Sequence, residues 1–223
     1  MIEKWFGTPV YTSKLEPSKD VYDNMLKYAE ECSKVHVEKY APRVVSTRMG
    51  DYKQHNNSVF EWLTQQVSYH CKQYLISFGV DISKVNLYAS KTWLLFQNQH
   101  TANSVPKHTH LTSCLSVVYY LKSDPKCGGN TVLFNSNSLV TQSDFMFTPS
   151  KHTLDKCQYR PYENNILIFP SRMPHGTSNY EFSGKERVTV VYDIEITAKT
   201  DDDFRTFDSM GHMRLDPSDW KKL

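Results

Sequence analysis

Two closely spaced histidines, a distant third and one arginine carry most of the chemistry legible in this 223-residue chain. His108-Thr109-His110 stands at the head of the apolar run Leu111–Leu121. In extended backbone, side chains at i and i+2 point the same way, so both imidazoles address one volume. His175 follows a second apolar run, Ile166–Phe169, on a turn fixed by Pro170 and Pro174. Neutral imidazole is the commonest borderline metal ligand, and three of them can cover one face of an ion. A bare His-x-His is by itself a weak signal, since a pair of hydrogen-bonded strand histidines at a barrel rim has the same spacing.

Arg187 heads the strand-like run Arg187–Asp193, whose alternation sets Arg187, Thr189, Val191 and Asp193 on one face. A guanidinium fork with a hydroxyl two residues on can clamp a carboxylate. Thr131 either faces the same pocket or is an ordinary strand threonine. Trp93, Phe96 and Gln97 are candidates for the substrate side, with a core role as the alternative for Trp93. His36 and His70 fall in predicted helices, His55 and His152 near loops and His212 in the tail, where surface or capping roles are expected. His100, in Gln97–His100, borders the expected substrate mouth or is simply solvated.

The elements that must position these residues form two groups. Pro17 and Ser18 precede Val21, Tyr22, Met25, Leu26, Tyr28 and Ala29, spaced as one face of a helix. A second helix follows Asn57-Ser58, with Ser58 and Glu61 fitting a capping box and Gly79 a C-terminal stop. Past residue 84, runs of β-branched and aromatic residues alternate with turn signals. Strands are expected at Val85–Phe96, His110–Leu121, Thr131–Phe134, Asp144–Phe147, Ile166–Phe169 and Arg187–Ile196. The expectation is a mainly β chain with flanking helices, a sandwich or barrel of the jelly-roll, double-stranded β-helix (cupin-like) kind. One domain accommodates 223 residues, with residues 1–83 as helical support, 84–197 as the jelly-roll core and 198–223 as a tail. Phe204, Phe207, Met210, Met213 and Trp220 give that tail the means to dock back.

Twenty-six Lys and Arg against 24 Asp and Glu give a net charge of +2, which argues against a nucleic-acid partner. The start lacks a basic and an apolar signal region, and no run reaches the roughly 18 apolar residues of a spanning helix. Cys32, Cys71, Cys114, Cys127 and Cys157 are odd in number and unpaired in spacing, which points to a reduced, cytoplasmic protein. Oligomeric state is not legible.

Taken together, His108, His110, His175, and Arg187 with Thr189 twelve and fourteen residues later, resemble the 2-oxoglutarate and iron(II)-dependent oxygenases. Gly128-Gly-Asn-Thr-Val-Leu-Phe134 is similar to a hairpin of the prolyl-hydroxylase-like branch. Ser116–Leu121 after the triplet resembles a bacterial and phage group with a His-x-His motif. The resemblance spans about Trp93–Asp193. It implies a double-stranded β-helix, Fe(II) held by His108, His110 and His175, and 2-oxoglutarate anchored by Arg187 and Thr189, with Thr131 beside them. It further implies O2 as co-reactant and oxidation, typically hydroxylation, of a peptidyl residue or small molecule, with succinate as by-product. The chain departs from the family's usual pattern at His110, where a carboxylate is commonest, so the site is one negative charge short. An open alternative places His110 behind the metal, with water completing the shell. Two readings compete with the oxygenase: a cupin-like three-histidine metal protein that does not use 2-oxoglutarate, and a barrel that binds without catalysis.

Overall fold

The computed structural model describes residues 7–135, 154–199 and 221–223. Two antiparallel sheets face each other, and two helices cover the outer face of the larger one. That sheet contains β1 (Tyr11–Lys14), β2 (Val45–Ser46), β3 (Val85–Gln97), β4 (Leu115–Lys122), β7 (Asn165–Pro170), β9 (Arg187–Ala198) and β10 (Lys221–Lys222). Its order is β1-β7-β4-β9-β3-β10, with β2 also on β3. The smaller sheet is β6-β5-β8, from β5 (Thr131–Phe134), β6 (Lys156–Tyr159) and β8 (His175–Thr177). This is the expected jelly-roll arrangement.

Helix α1 (Lys19–Tyr40) starts where Ser18 Oγ accepts the Val21 N–H, and it buries Met25, Ala29 and Ser33. Helix α2 (Glu61–Ile76) departs from expectation at its start. Asn57 Oδ1 takes the Val59 N–H at 3.0 Å and nucleates a 3₁₀ turn, Ser58–Phe60, so Ser58 and Glu61 form no capping box. A short Asn side chain bonding its own downstream backbone competes with the longer-range cap. Gly79 does terminate the helical region, at φ +76° with its N–H on Ile76 O.

The larger sheet has two chemically different faces. Val190, Tyr192 and Ile194 of β9 pack with Leu94, Phe96, Val117 and Ile168 against Phe60, Leu63 and Val67 under the helices. On the inner face Val118, Tyr120, Leu167 and Phe169 meet Leu133 of the smaller sheet. Strand β3 changes phase within its length. Its pairing with β9 slips between Ala89 and Lys91, leaving Ser90 as an extra residue. Val85, Leu87 and Ala89 face the helices before the slip, whereas Leu94 and Phe96 do so after it. Trp93 and Gln97 are thereby turned inward, while Phe96, expected on the substrate side, lies wholly in the helix-side core.

Other boundaries also differ from the sequence reading. The strand expected from His110 begins only at Leu115, because residues 111–114 form a turn. Strands β1, β6 and β8 were not anticipated; they are four, four and three residues long, too short for a period to show. Asp144–Phe147 lies outside the described residues, as do the apolar tail residues through Trp220. The end of the chain docks: Lys221 and Lys222 pair with Ala89 and Tyr88 of β3. All five cysteines are free, and among the described residues no helix is long and apolar enough to cross a membrane.

His55 and His70, expected at the surface, are buried. His55 bonds Thr92 Oγ1 through Nδ1 at 3.0 Å, and its Nε2 has no partner among the described residues. Burial pulls its pKa down to about 4, whereas the unfolded chain titrates near 6.5. The folded state therefore holds this ring neutral; its contribution is complete above the unfolded value and is lost as pH falls toward about 4. Urea unfolding of the metal-free protein is expected to shift to lower midpoints between about pH 6.5 and 4.5, and His55→Gln to flatten part of that slope.

Candidate metal centre

His108 and His175 are backbone partners in an isolated antiparallel bridge, each donating its N–H to the other's carbonyl at 2.8 Å. This sets their rings 4.3 Å apart, centre to centre. His110 joins them because its N–H is held by Ser171 O at 3.0 Å, at the end of β7. Its ring lies 5.2 Å from that of His108 and 4.9 Å from that of His175. One ring nitrogen from each histidine lies within 4.8 Å of the other two.

The tautomers follow from what each Nδ1 meets. His108 Nδ1 is 2.8 Å from Pro106 O, and His175 Nδ1 is 2.8 Å from Met173 O, the same i−2 contact on two loops. A carbonyl can only accept, so both Nδ1 atoms carry the proton. His110 Nδ1 meets Asp193 Oδ1 at 2.5 Å, with Ser116 Oγ at 3.3 Å. All three rings thus keep Nε2 as the remaining lone pair, and Nε2 of His110 is buried without a partner among the described residues. Burial lowers the pKa of His108 and takes that of His175 to about 4, which keeps both in the neutral, ligating form. Three imidazoles oriented in this way, one of them with a buried free Nε2, suit an ion such as Fe(II).

Asp193 is the residue whose role the sequence did not disclose. Strand alternation placed it on the Arg187 face, but nothing local connected it with a histidine 83 positions earlier. Behind the triad stand Trp93, its ring 5.7 Å from His110, and Phe169, 4.9 Å from His175.

The same face of β9 carries the second half of the site. Arg187 is 1% exposed, and among the described residues no carboxylate forms an ion pair with it. Its Nη1 donates to Gln97 Oε1 at 2.7 Å, its guanidinium carbon lies 5.6 Å from the Tyr120 ring centre, and its Nε has no partner among the described residues. Burial lowers its pKa to about 10, which still leaves it charged at neutral pH. Thr189 Oγ1 is likewise buried and unpartnered. Thr131 accepts from Tyr120 Oη at 2.7 Å, so its own hydroxyl proton remains to donate. Gly129, at φ +64°, backs the arginine; a Cβ there would stand 2.7 Å from Arg187 Cδ. An uncompensated buried cation beside an orphaned hydroxyl is costly unless an anion is bound. A carboxylate satisfies both. Every residue singled out from sequence for the metal or the carboxylate therefore lies at this inner face or its rim.

Comparison with known proteins agrees with that chemistry. Residues 91–193 match the family described as "Putative 2OG-Fe(II) oxygenase". No curated protein matches the sequence significantly. Among solved structures, the epimerase SnoN in complex with Fe3+, alpha ketoglutarate and nogalamycin RO aligns over 96% of this chain and 94% of its own. Its TM-score is 0.60 at 9% identity. A Pseudomonas putida prolyl-4-hydroxylase aligns over 84% and 92%, with a TM-score of 0.53 at 12% identity. A Trichoplax adhaerens prolyl hydroxylase, in complex with a hypoxia inducible factor peptide fragment, aligns over 92% and 87%, also at 0.53 and 12%. The likenesses show the double-stranded β-helix fold. The family match covers the segment that holds the site, and over that segment the chain is similar to the 2-oxoglutarate/Fe(II) oxygenases. The activity that family match supports is that of an oxidoreductase with Fe(II) and 2-oxoglutarate as cofactor and cosubstrate.

The Asp193 contact yields a test. Asp193→Asn removes the carboxylate that fixes the His110 tautomer, and divalent-metal affinity measured by calorimetry is expected to fall about 10- to 100-fold.

Proposed function

We propose that His108, His110 and His175 hold Fe(II) as a facial triad, and that Arg187 and Thr189, with Thr131 alongside, anchor the far carboxylate of 2-oxoglutarate. The observation that carries this reading is Arg187: a buried cation with, among the described residues, one neutral hydrogen-bond partner and no acidic one, on the β9 face that also delivers Asp193 to His110. Bound iron and cosubstrate supply the oxidising chemistry, coupling 2-oxoglutarate decarboxylation to attack on a substrate C–H bond. The chain's own groups orient and shield. The i−2 carbonyls and Asp193 hold the three Nδ1 protons, the Arg187 and Thr189 donors fix the cosubstrate's direction, and Trp93 and Phe169 exclude water on one side. Asp193 also places a negative charge one bond behind His110, where the family's usual ligand is itself a carboxylate.

The three-histidine protein that does not use 2-oxoglutarate gives Arg187 and Thr189 no ligand, and those orphaned donors favour the oxygenase. For the primary substrate we infer a peptidyl residue or a small molecule, since similar folds serve both a peptide-bound prolyl hydroxylase and an epimerase complexed with nogalamycin RO. Five free cysteines support a reduced, cytoplasmic setting. The packing of both helices on the same sheet supports reading the chain as a single domain.

Succinate formation and 2-oxoglutarate binding by the Fe(II)-supplied protein test the assignment. Wild type is expected to bind and slowly turn over 2-oxoglutarate without a second substrate. Arg187→Ala is expected to weaken binding by about 2–5 kcal/mol, at least some 30-fold, and His108→Ala to abolish turnover. Wild type showing neither binding nor turnover would remove the enzyme reading. Undiminished binding by Arg187→Ala would favour the protein that works without 2-oxoglutarate.

A further inference from the structure

We infer that Gln97 is a positioning residue for the cosubstrate: its amide holds the Arg187 guanidinium in place while leaving its charge free for an incoming carboxylate. The inference rests on the proposed role of Arg187. Gln97 and Arg187 are register partners across β3 and β9, and each is 1% exposed. Gln97 Oε1 accepts from Arg187 Nη1 at 2.7 Å, and Gln97 Nε2 donates to Asn103 O at 2.9 Å. Turning the amide over would set donor against donor at the arginine and oxygen against oxygen at Asn103. The two contacts therefore leave one orientation. The Ser90 slip is what turns position 97 inward, so this contact depends on the change of phase in β3.

A neutral amide and a carboxylate of the same size have opposite consequences here. Glutamate at position 97 would pair with Arg187 and neutralise the charge that a ligand needs. An amide supplies one hydrogen bond and the geometry, and leaves the cation uncompensated. Asn103, which fixes the amide, also accepts the Tyr180 N–H at 2.7 Å. It opens the loop whose Val105 is bonded to Thr177 and whose Pro106 carbonyl holds His108 Nδ1. One loop thus braces both the arginine's holder and a triad histidine.

The competing role is purely structural, with Gln97 merely satisfying a buried arginine. Gln97→Glu separates the two, because a glutamate satisfies that arginine at least as well. For positioning, Gln97→Glu is expected to raise the KM and Kd for 2-oxoglutarate about ten-fold or more, by neutralising the guanidinium. The uncoupled kcat at saturation and the affinity for Co(II) without 2-oxoglutarate should stay within about two-fold of wild type. Gln97→Met, similar in length but without an acceptor, should raise KM by about three-fold or more through lost orientation. Thermal melts establish that each variant folds, and if Gln97→Glu does not, Gln97→Met decides. Wild-type 2-oxoglutarate affinity in Gln97→Glu, or in Gln97→Met where it decides, overturns the inference, as does a fall in kcat with KM unchanged. Arg187→Ala, measured in parallel, keeps the failures apart. Unaltered binding there sinks the anchor itself, whereas weakened binding there with an unaffected Gln97→Glu sinks only the role of Gln97.

Discussion

The two-residue period of β9 is the constraint on which the rest of the molecule depends. This strand is bonded on both sides, to β3 and to β4, so its register is fixed twice. One face delivers Val188, Val190, Tyr192 and Ile194 to the core beneath the helices. The other presents Arg187, Thr189 and Asp193 to the site. A slip of one residue would bury a guanidinium and a carboxylate in that core and aim four apolar side chains at the metal centre. Stability and chemistry are therefore enforced by the same hydrogen-bond ladder.

Charge is distributed within the site by separation. Asp193 and Arg187 lie six residues apart on one face of one strand, both 1% exposed, yet each has a different partner. Were they to pair with each other, neither would act. The histidine takes the carboxylate and the glutamine takes the guanidinium, which in the proposed site commits the negative charge toward the metal and the positive charge toward the cosubstrate. If the three histidines ligate the metal as proposed, the carboxylate missing among them is offset at one remove, through the His110 ring.

Much of this was legible in the sequence. The residues that the fold brings together were visible as candidates, His108, His110 and His175 by residue type and Arg187 with Thr189 by alternation within a long, strongly β-branched strand. Residues whose roles rest on partners distant in sequence were not legible. Asp193 was visible on the correct face but acquires its meaning only when His110 arrives from another loop. Gln97 was a candidate for the substrate mouth, whereas Phe96 beside it proved to be core, because no simple alternation foretells an extra residue at Ser90. The pairing of His108 with His175 was also hidden, since β8 has three residues and no detectable period. His55 and His70 were misjudged because a helix or turn histidine looks the same in sequence whether or not the tail or an edge strand later covers it.

The extra residue at Ser90 divides β3 into two lengths with separate duties. Upstream, Val85, Leu87 and Ala89 are masonry shared with the helices and the chain terminus. Downstream, Trp93 and Gln97 face the proposed site. Such a partition lets a lineage alter what the pocket accepts by changing alternate positions after the bulge, with the wall behind it undisturbed. It also makes Ser90 a poor place for an insertion or deletion, because losing that one residue would exchange lining and wall along half a strand.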